Sequence, residues 1–293
     1  MGEMLMKVLS IFLTFFAFCV PSAYAIDEGT AQGTLAINDV KIALTHSYAH
    51  FHDNAEGLLD RPKELRIVLS DREIPHESLR GLVFLPVEDM ARENRVRGLL
   101  MKFDPSDQNK VVVTLLTKPS SPGPSPMALT MSLTGQKLFK KLLLSNVRVT
   151  GEVEHADTQE RGGQDLPKLT YNVKFSAPLF RELPVTANFK GMAAQDSPQV
   201  KAYREKINAL KKGDFEAVKH LSSERKNRRD AAMLAQMDDQ TKKAFAAEAA
   251  ADMEQSLKLI KRVVVRGESA VIIFSEKQWA TFVYEGRQWK TGD

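Results

Sequence analysis

The chain runs to 293 residues, with 41 Lys and Arg against 37 Asp and Glu, a formal charge of +4 and a pI near 9.0. Residues 26–191 are balanced at 21 basic and 21 acidic, whereas 192–293 hold 19 against 15 and carry the excess. The bases are interleaved with acids and no aromatic–basic motif accompanies them, so nucleic acid is not an expected partner.

A leader opens the sequence. Lys7 precedes an apolar run over 8–20, and "PSAYA" (21–25) puts small residues at the −3 and −1 positions of a cleavage point after Ala25. The run is short for a bilayer span and the polar "IDEGTAQG" follows at once. The expectation is a signal peptide over 1–25 and a periplasmic or secreted protein with no stable membrane span. Cys19 is the one cysteine and falls inside that leader. With the leader removed, cysteine nucleophiles, thiolate zinc sites and CxxC redox chemistry are excluded together.

From 33 to 190 the pattern is that of strands. "GTLAIN" and "KIALTHSYAHF" flank Asn38–Asp39, a hairpin turn signal. Further β-rich runs stand at 65–71, 97–103, 110–118, 146–155, 168–177 and 184–191, with turn-rich breaks at 104–109, 119–126 and 158–165. One short helix is expected within 87–94. In "KLTYNVKF", Leu169, Tyr171, Val173 and Phe175 alternate with Lys168, Thr170, Asn172 and Lys174. This spacing predicts an antiparallel β sandwich or open barrel over 26–191.

The period changes after a linker expected at 192–198. Ser197–Pro198 suits a helix start, and Val200, Tyr203, Ile207 and Leu210 form one helical stripe that Gly213 can end. Phe215, Val218 and Leu221 continue as a second helix, with Asp214 placed to cap it, and 230–254 reads as a third. "LKLIKRVVV", "SAVIIFSE", "QWATFVYE" and "RQWKTGD" then predict a four-stranded antiparallel meander. The fold class is α+β overall.

"INALKKGDFEAVKHLSSE", "RVVVRGESAVIIF" and "VYEGRQWKTGD" together resemble the small nuclear transport factor 2-like (cystatin-like) domains of exported bacterial proteins. The likeness covers 199–293, a third of the chain. It implies a cone of helices folded into a curved sheet around an apolar pocket. Some members are isomerases or dehydratases and many are binding modules, so the likeness does not settle function.

Two groups of residues are candidates. "THSYAHFHD" (45–53) holds three of the six histidines. On a strand His46, Tyr48, His50 and His52 share a face, and His50 and His52 stand at the spacing of His-x-His metal pairs. A solvated polar face explains the same imidazoles, and a third ligand would have to come from Asp53, Glu56 or a neighbouring strand, for instance His155. The second candidate is an apolar ligand pocket in the C-terminal cone. Tyr203, Phe215 and Phe274 would line it with Trp279, Phe282, Tyr284 and Trp289. Asp214, His220, Tyr203 and Tyr284 are the acid–base groups an isomerase would draw on. No GxSxG elbow, P-loop or GxGxxG is present, and no cofactor is expected. The reading is a non-enzymatic binding or scaffolding module with a small apolar ligand or an envelope protein as partner. A metal-binding protein and an isomerase-like enzyme are its alternatives.

Overall fold

Alternation along the first two-thirds of the chain produces one large sheet, and the remainder builds a smaller one backed by helices. The computed structural model describes residues 29–58, 62–82, 85–118, 130–134, 138–156 and 168–292. The expected leader with Cys19 and the breaks at 119–126 and 158–165 lie outside the described residues.

In chain order the large sheet contains β1 (Thr30–Ile37), β2 (Val40–His52), β3 (Glu64–Ser70), β4 (Gly98–Phe103), β5 (Lys110–Leu116), β6 (Thr130–Thr134), β7 (Phe139–Leu144), β8 (Arg148–Ala156) and β9 (Leu169–Arg181). Their spatial order is β6-β5-β4-β3-β2-β1-β9-β8-β7, antiparallel throughout except for one short β2–β9 contact. The sheet is curled into a half-barrel. Phe103 of β4 and Phe139 of β7 meet at 5.1 Å between ring centroids, although five strands lie between them in the sheet. The concave side is filled by Leu35, Leu44, Ile67, Leu99, Val113 and Val173, all fully buried. β1 runs so close to β9 that a Cβ on Gly33 would sit 2.2 Å from the Asn172 carbonyl oxygen. Only glycine fits there.

The other face of β2–β5 is also covered. Residues 71–97 leave the sheet as a 3-10 turn (His76–Leu79) and helix α1 (Pro86–Arg92), and return at β4. Ile74, Leu79, Leu85, Val87 and Ala91 from this excursion bury Tyr48, Val68 and Leu100. Burial on both faces explains why "LRIVLS" is nearly continuous in apolar character, since such a strand has no solvated side to show.

The second sheet has the order β10 (Ala187–Lys190), β11 (Arg262–Arg266), β12 (Ser269–Ser275), β13 (Gln278–Glu285), β14 (Gln288–Thr291). β11–β14 form the predicted meander. The structure differs at its edge. The run at 184–191, expected with the first sheet, pairs instead with β11, Ala187 opposite Val265 and Phe189 opposite Val263. Ala187 and Phe189 pack on the helical core of the C-terminal part, which draws the strand there. The expected linker 192–198 is likewise structured. Helix α2 (Met192–Gln195) buries Ala194, and the Ser197 hydroxyl donates to the Ala194 carbonyl at 2.7 Å.

Helices follow their caps. Ser197 accepts from the Val200 N–H to open α3 (Pro198–Lys212), which Gly213 closes at φ 65°. Asp214 accepts from the Ala217 N–H at 3.0 Å and starts α4 (Phe215–His220). Ser223 and Asp238 open α5 (Glu224–Leu234) and α6 (Asp239–Leu257) in the same way. Val200, Tyr203, Ile207 and Leu210 pack with Val263, Ile272, Phe274 and Phe282, so the predicted stripe faces the small sheet. No described helix is long and apolar enough to cross a membrane. The opposite face of the small sheet meets the first part of the chain, where Val264, Val271 and Ile273 pack against Leu58 and Leu82.

Candidate functional site

The C-terminal end of β2 is where the chain concentrates its buried charge. β1 does not extend that far, so β9 pairs directly with β2, Ala49 opposite Leu179 and His50 opposite Phe180. On the other side β3 places Arg66 opposite His50 and Glu64 opposite His52. The chain leaves β9 at Glu182, whose N–H reaches the Phe51 carbonyl at 3.4 Å. This crossing puts the Glu182 carboxylate between the two imidazoles: Oε1 lies 3.1 Å from His52 Nδ1 and 3.8 Å from His50 Nε2.

The predicted pair therefore does come together, and the solvated face does not. His50 is 0% exposed and His52 2%, with Tyr48 buried beside them. The excursion over 71–97 covers this face, which the alternation of β2 cannot reveal. Burial pushes the His50 imidazole down to about 4, against the opposing pull of Glu182 and with the help of Arg66, Arg80 and His52. For Glu182, burial works to raise the carboxyl. The His52 hydrogen bond and the charges of His50, His52 and Arg66 outweigh it and hold the group below the usual range.

After β2 the chain turns sharply. Asn54, at φ 51°, clamps Leu58 by donating to its carbonyl and accepting from its N–H, at 3.1 and 3.0 Å. That turn aims Glu56 inward. One Glu56 oxygen accepts from Arg266 Nε at 2.9 Å, and the other faces His52 Nε2 at 4.0 Å. Arg266 also donates to Asp53 Oδ1 at 2.7 Å and to the Leu183 carbonyl. A continuous series of polar side chains thus runs His50, Glu182, His52, Glu56, Arg266, from the large sheet into the small one. Both ring nitrogens of His50, His52 Nε2 and Glu56 Oε2 are buried with no hydrogen-bond partner. A second bridge joins Arg225 of α5 to Asp89 of α1.

Beside this network lies a groove of about 560 Å³ between the sheets. Its lining combines apolar Leu82, Val264, Val271 and Phe282 with Arg80, Arg225 and Arg266 and with five acids, Glu56, Glu77, Glu182, Glu268 and Glu285. Arg80 Nε is buried without a hydrogen-bond partner, while Nη2 meets His76 Nε2 at 3.5 Å.

The remaining candidates are dispersed. Tyr203 meets Phe274 at a tilt and Phe282 edge-on in the C-terminal core, with Phe215 and Trp289 packed against it. Trp279 packs on the inter-sheet seam, and Tyr284 is exposed and tilted against Trp289. Of these seven, Phe282 alone lines the groove. Asp214 serves as a helix cap, while His220 is exposed and meets Gln288, so the acid–base set is not assembled in one place. His155 stacks on Tyr171, at the end of β9 opposite Glu182. Among the described residues no group of three His, Cys, Asp or Glu is disposed to hold a metal ion. Glu182 Oε1 occupies the point that both imidazoles face.

Glu182 and Arg266 escape the sequence reading, and Glu56 enters it only as a possible metal ligand, because their partners are remote, 130 residues apart for His52 and Glu182 and 210 for Glu56 and Arg266. A signal does exist. Arg66 in "LRIVLS" and Arg266 in "RVVVR" interrupt otherwise apolar strands, and a charge buried in such a strand requires a partner. Comparison with known proteins adds no relative: no family model, no curated protein and no solved structure matches the chain.

Proposed function

We propose that the protein is an exported, non-enzymatic binding module of the cell envelope, and that its site is the groove between the two sheets. The ligand class is amphipathic, an apolar body carrying one acidic group. The observation that carries this reading is Arg80. Its guanidinium lines a groove that also carries apolar side chains, with Nε buried and without a hydrogen-bond partner. A carboxylate, sulfonate or phosphate in the groove would pair with the guanidinium edge that lines it, while Leu82, Val264 and Val271 would take the apolar body. Glu56 and Glu182 are held by Arg266 and His52, which favours recognition over proton transfer. The leader over 1–25 supports export, and the order of α3, α4 and the meander supports the likeness to nuclear transport factor 2-like domains.

The test is a fluorescence titration with 8-anilinonaphthalene-1-sulfonate, a dye with an apolar body and one acid, followed by displacement with a long-chain carboxylate. Saturable binding that Arg80→Ala weakens and the carboxylate displaces is expected. Binding unchanged by Arg80→Ala would remove the assignment.

A further inference from the structure

The β7–β8 hairpin closes one edge of the half-barrel, and its tip is the reverse of a folded interior. Leu143 is 55% exposed, Leu144 43% and Val147 70%, three large apolar side chains within five positions. The turn that presents them is fixed. Ser145 N–H and Oγ–H both donate to the Arg148 carbonyl, at 2.9 and 3.0 Å, and Arg148 N–H returns a bond to Ser145 Oγ at 2.9 Å. The exposure is therefore built into the fold.

The charge along the hairpin tip itself has one sign. Residues 139–151 contain Lys140, Lys141 and Arg148 and no acid. Lys140 is engaged by Glu152 and Glu154 further down the hairpin. Lys141 and Arg148 both lie at the surface beside the tip. Arg181, exposed on the neighbouring β9, lies 5.3 Å above the Phe51 ring at the same end of the sheet. Leu144 and Arg181 border a shallow depression of about 510 Å³ with Phe51, Leu65 and Leu179. Apolar side chains that project between cations match a bilayer surface, where acyl chains lie behind anionic headgroups.

We propose that the tip of the β7–β8 hairpin docks the protein on an anionic lipid bilayer, with Leu143, Leu144 and Val147 entering the interface and Lys141, Arg148 and Arg181 meeting the headgroups. Each basic residue near such a surface contributes roughly fivefold in partitioning, and the contribution fades with salt.

The experiment is vesicle co-sedimentation of the protein, produced with its own leader and purified as the cell processes it. Vesicles of phosphatidylglycerol with phosphatidylcholine are compared with phosphatidylcholine alone, at low and high salt. The variants are Leu143→Ser with Val147→Ser, and Lys141→Glu. All three side chains are exposed, and equal urea midpoints check that folding is intact. Binding to the anionic vesicles at least tenfold above neutral ones is expected, cut about tenfold by the serine pair and severalfold by Lys141→Glu or salt. Equal binding by wild type and the serine pair overturns the proposal, as does equal binding to both vesicle types. Sedimentation without vesicles overturns it in favour of self-association. Each result is independent of ligand binding in the groove.

Discussion

Replacing Arg266 by methionine removes the one side chain that joins Asp53, Glu56 and the Leu183 carbonyl across the junction of the sheets. The Arg266 side chain is 8% exposed and that of Glu56 4%, so the substitution strands a buried carboxylate. Removing one member of a buried pair costs about 3–5 kcal/mol, and the exposed Asp53 side of the contact belongs at the low end. For a chain of this size that is a fall of roughly 5–8 °C in melting temperature. Glu56→Leu in the same background removes the stranded charge, and the double variant should regain about 2 kcal/mol or more. The assay is urea unfolding at neutral pH followed by tryptophan fluorescence, since Trp279 packs on the inter-sheet seam. A loss below about 1 kcal/mol for Arg266→Met, or simple additivity of the two substitutions, would refute the assignment of Arg266 as the junction's anchor.

Stability should fall with acid through His50. Its folded value of about 4 lies below the ordinary 6.5, so the unfolded chain takes up the proton first. The contribution is complete above about pH 6.5 and is lost as pH drops toward 4, roughly 3 kcal/mol in all. Glu182, held low, adds a loss of the same sign below the carboxylate range, so His50→Asn should flatten the upper part of the curve only. Lys206 makes the opposite test at high pH. Burial foremost, with Lys226 assisting against Asp230, lowers its ammonium from 10.5 to about 7. A depressed base costs stability while it must be charged, so stability should rise between pH 7 and 10.5. Its hydroxyl partners Ser222 and Thr291 each donate to a backbone carbonyl of their own. Lys206→Met should therefore stabilise the protein near pH 6 by about 1–4 kcal/mol in urea, and a destabilised variant would contradict this.

Much of the local structure is legible in the sequence. Ser197–Pro198, Gly213 and Asp214 mark helix ends by chemistry that acts within four residues, and they mark them correctly. Alternation in β9 reports its concave face for the same reason, Leu169, Tyr171, Val173 and Phe175 all being buried. Choices made between distant segments are not legible. β10 has the composition of its upstream neighbours, yet it pairs with β11 more than 70 residues later. Lys206 stands beside the apolar stripe of α3, three residues from Tyr203 and four from Leu210, and the partners that cover it, Ser222 and Thr291 of β14, come from later segments. The His50–His52 pair was visible as a motif. Its environment depended on Glu182 and on the 71–97 excursion, neither of which its own strand encodes.

The central claim is that the groove between the sheets binds an amphipathic acid, and it is tested most directly by filling the groove. Ser269 lines it from β12 and is exposed, so a tryptophan there occupies the space with little disturbance to the core. Dye titration of the wild type beside Ser269→Trp should show saturable binding in the first and at least a tenfold loss in the second, with unchanged urea midpoints. Equal affinity in both proteins would contradict the account and place any binding elsewhere.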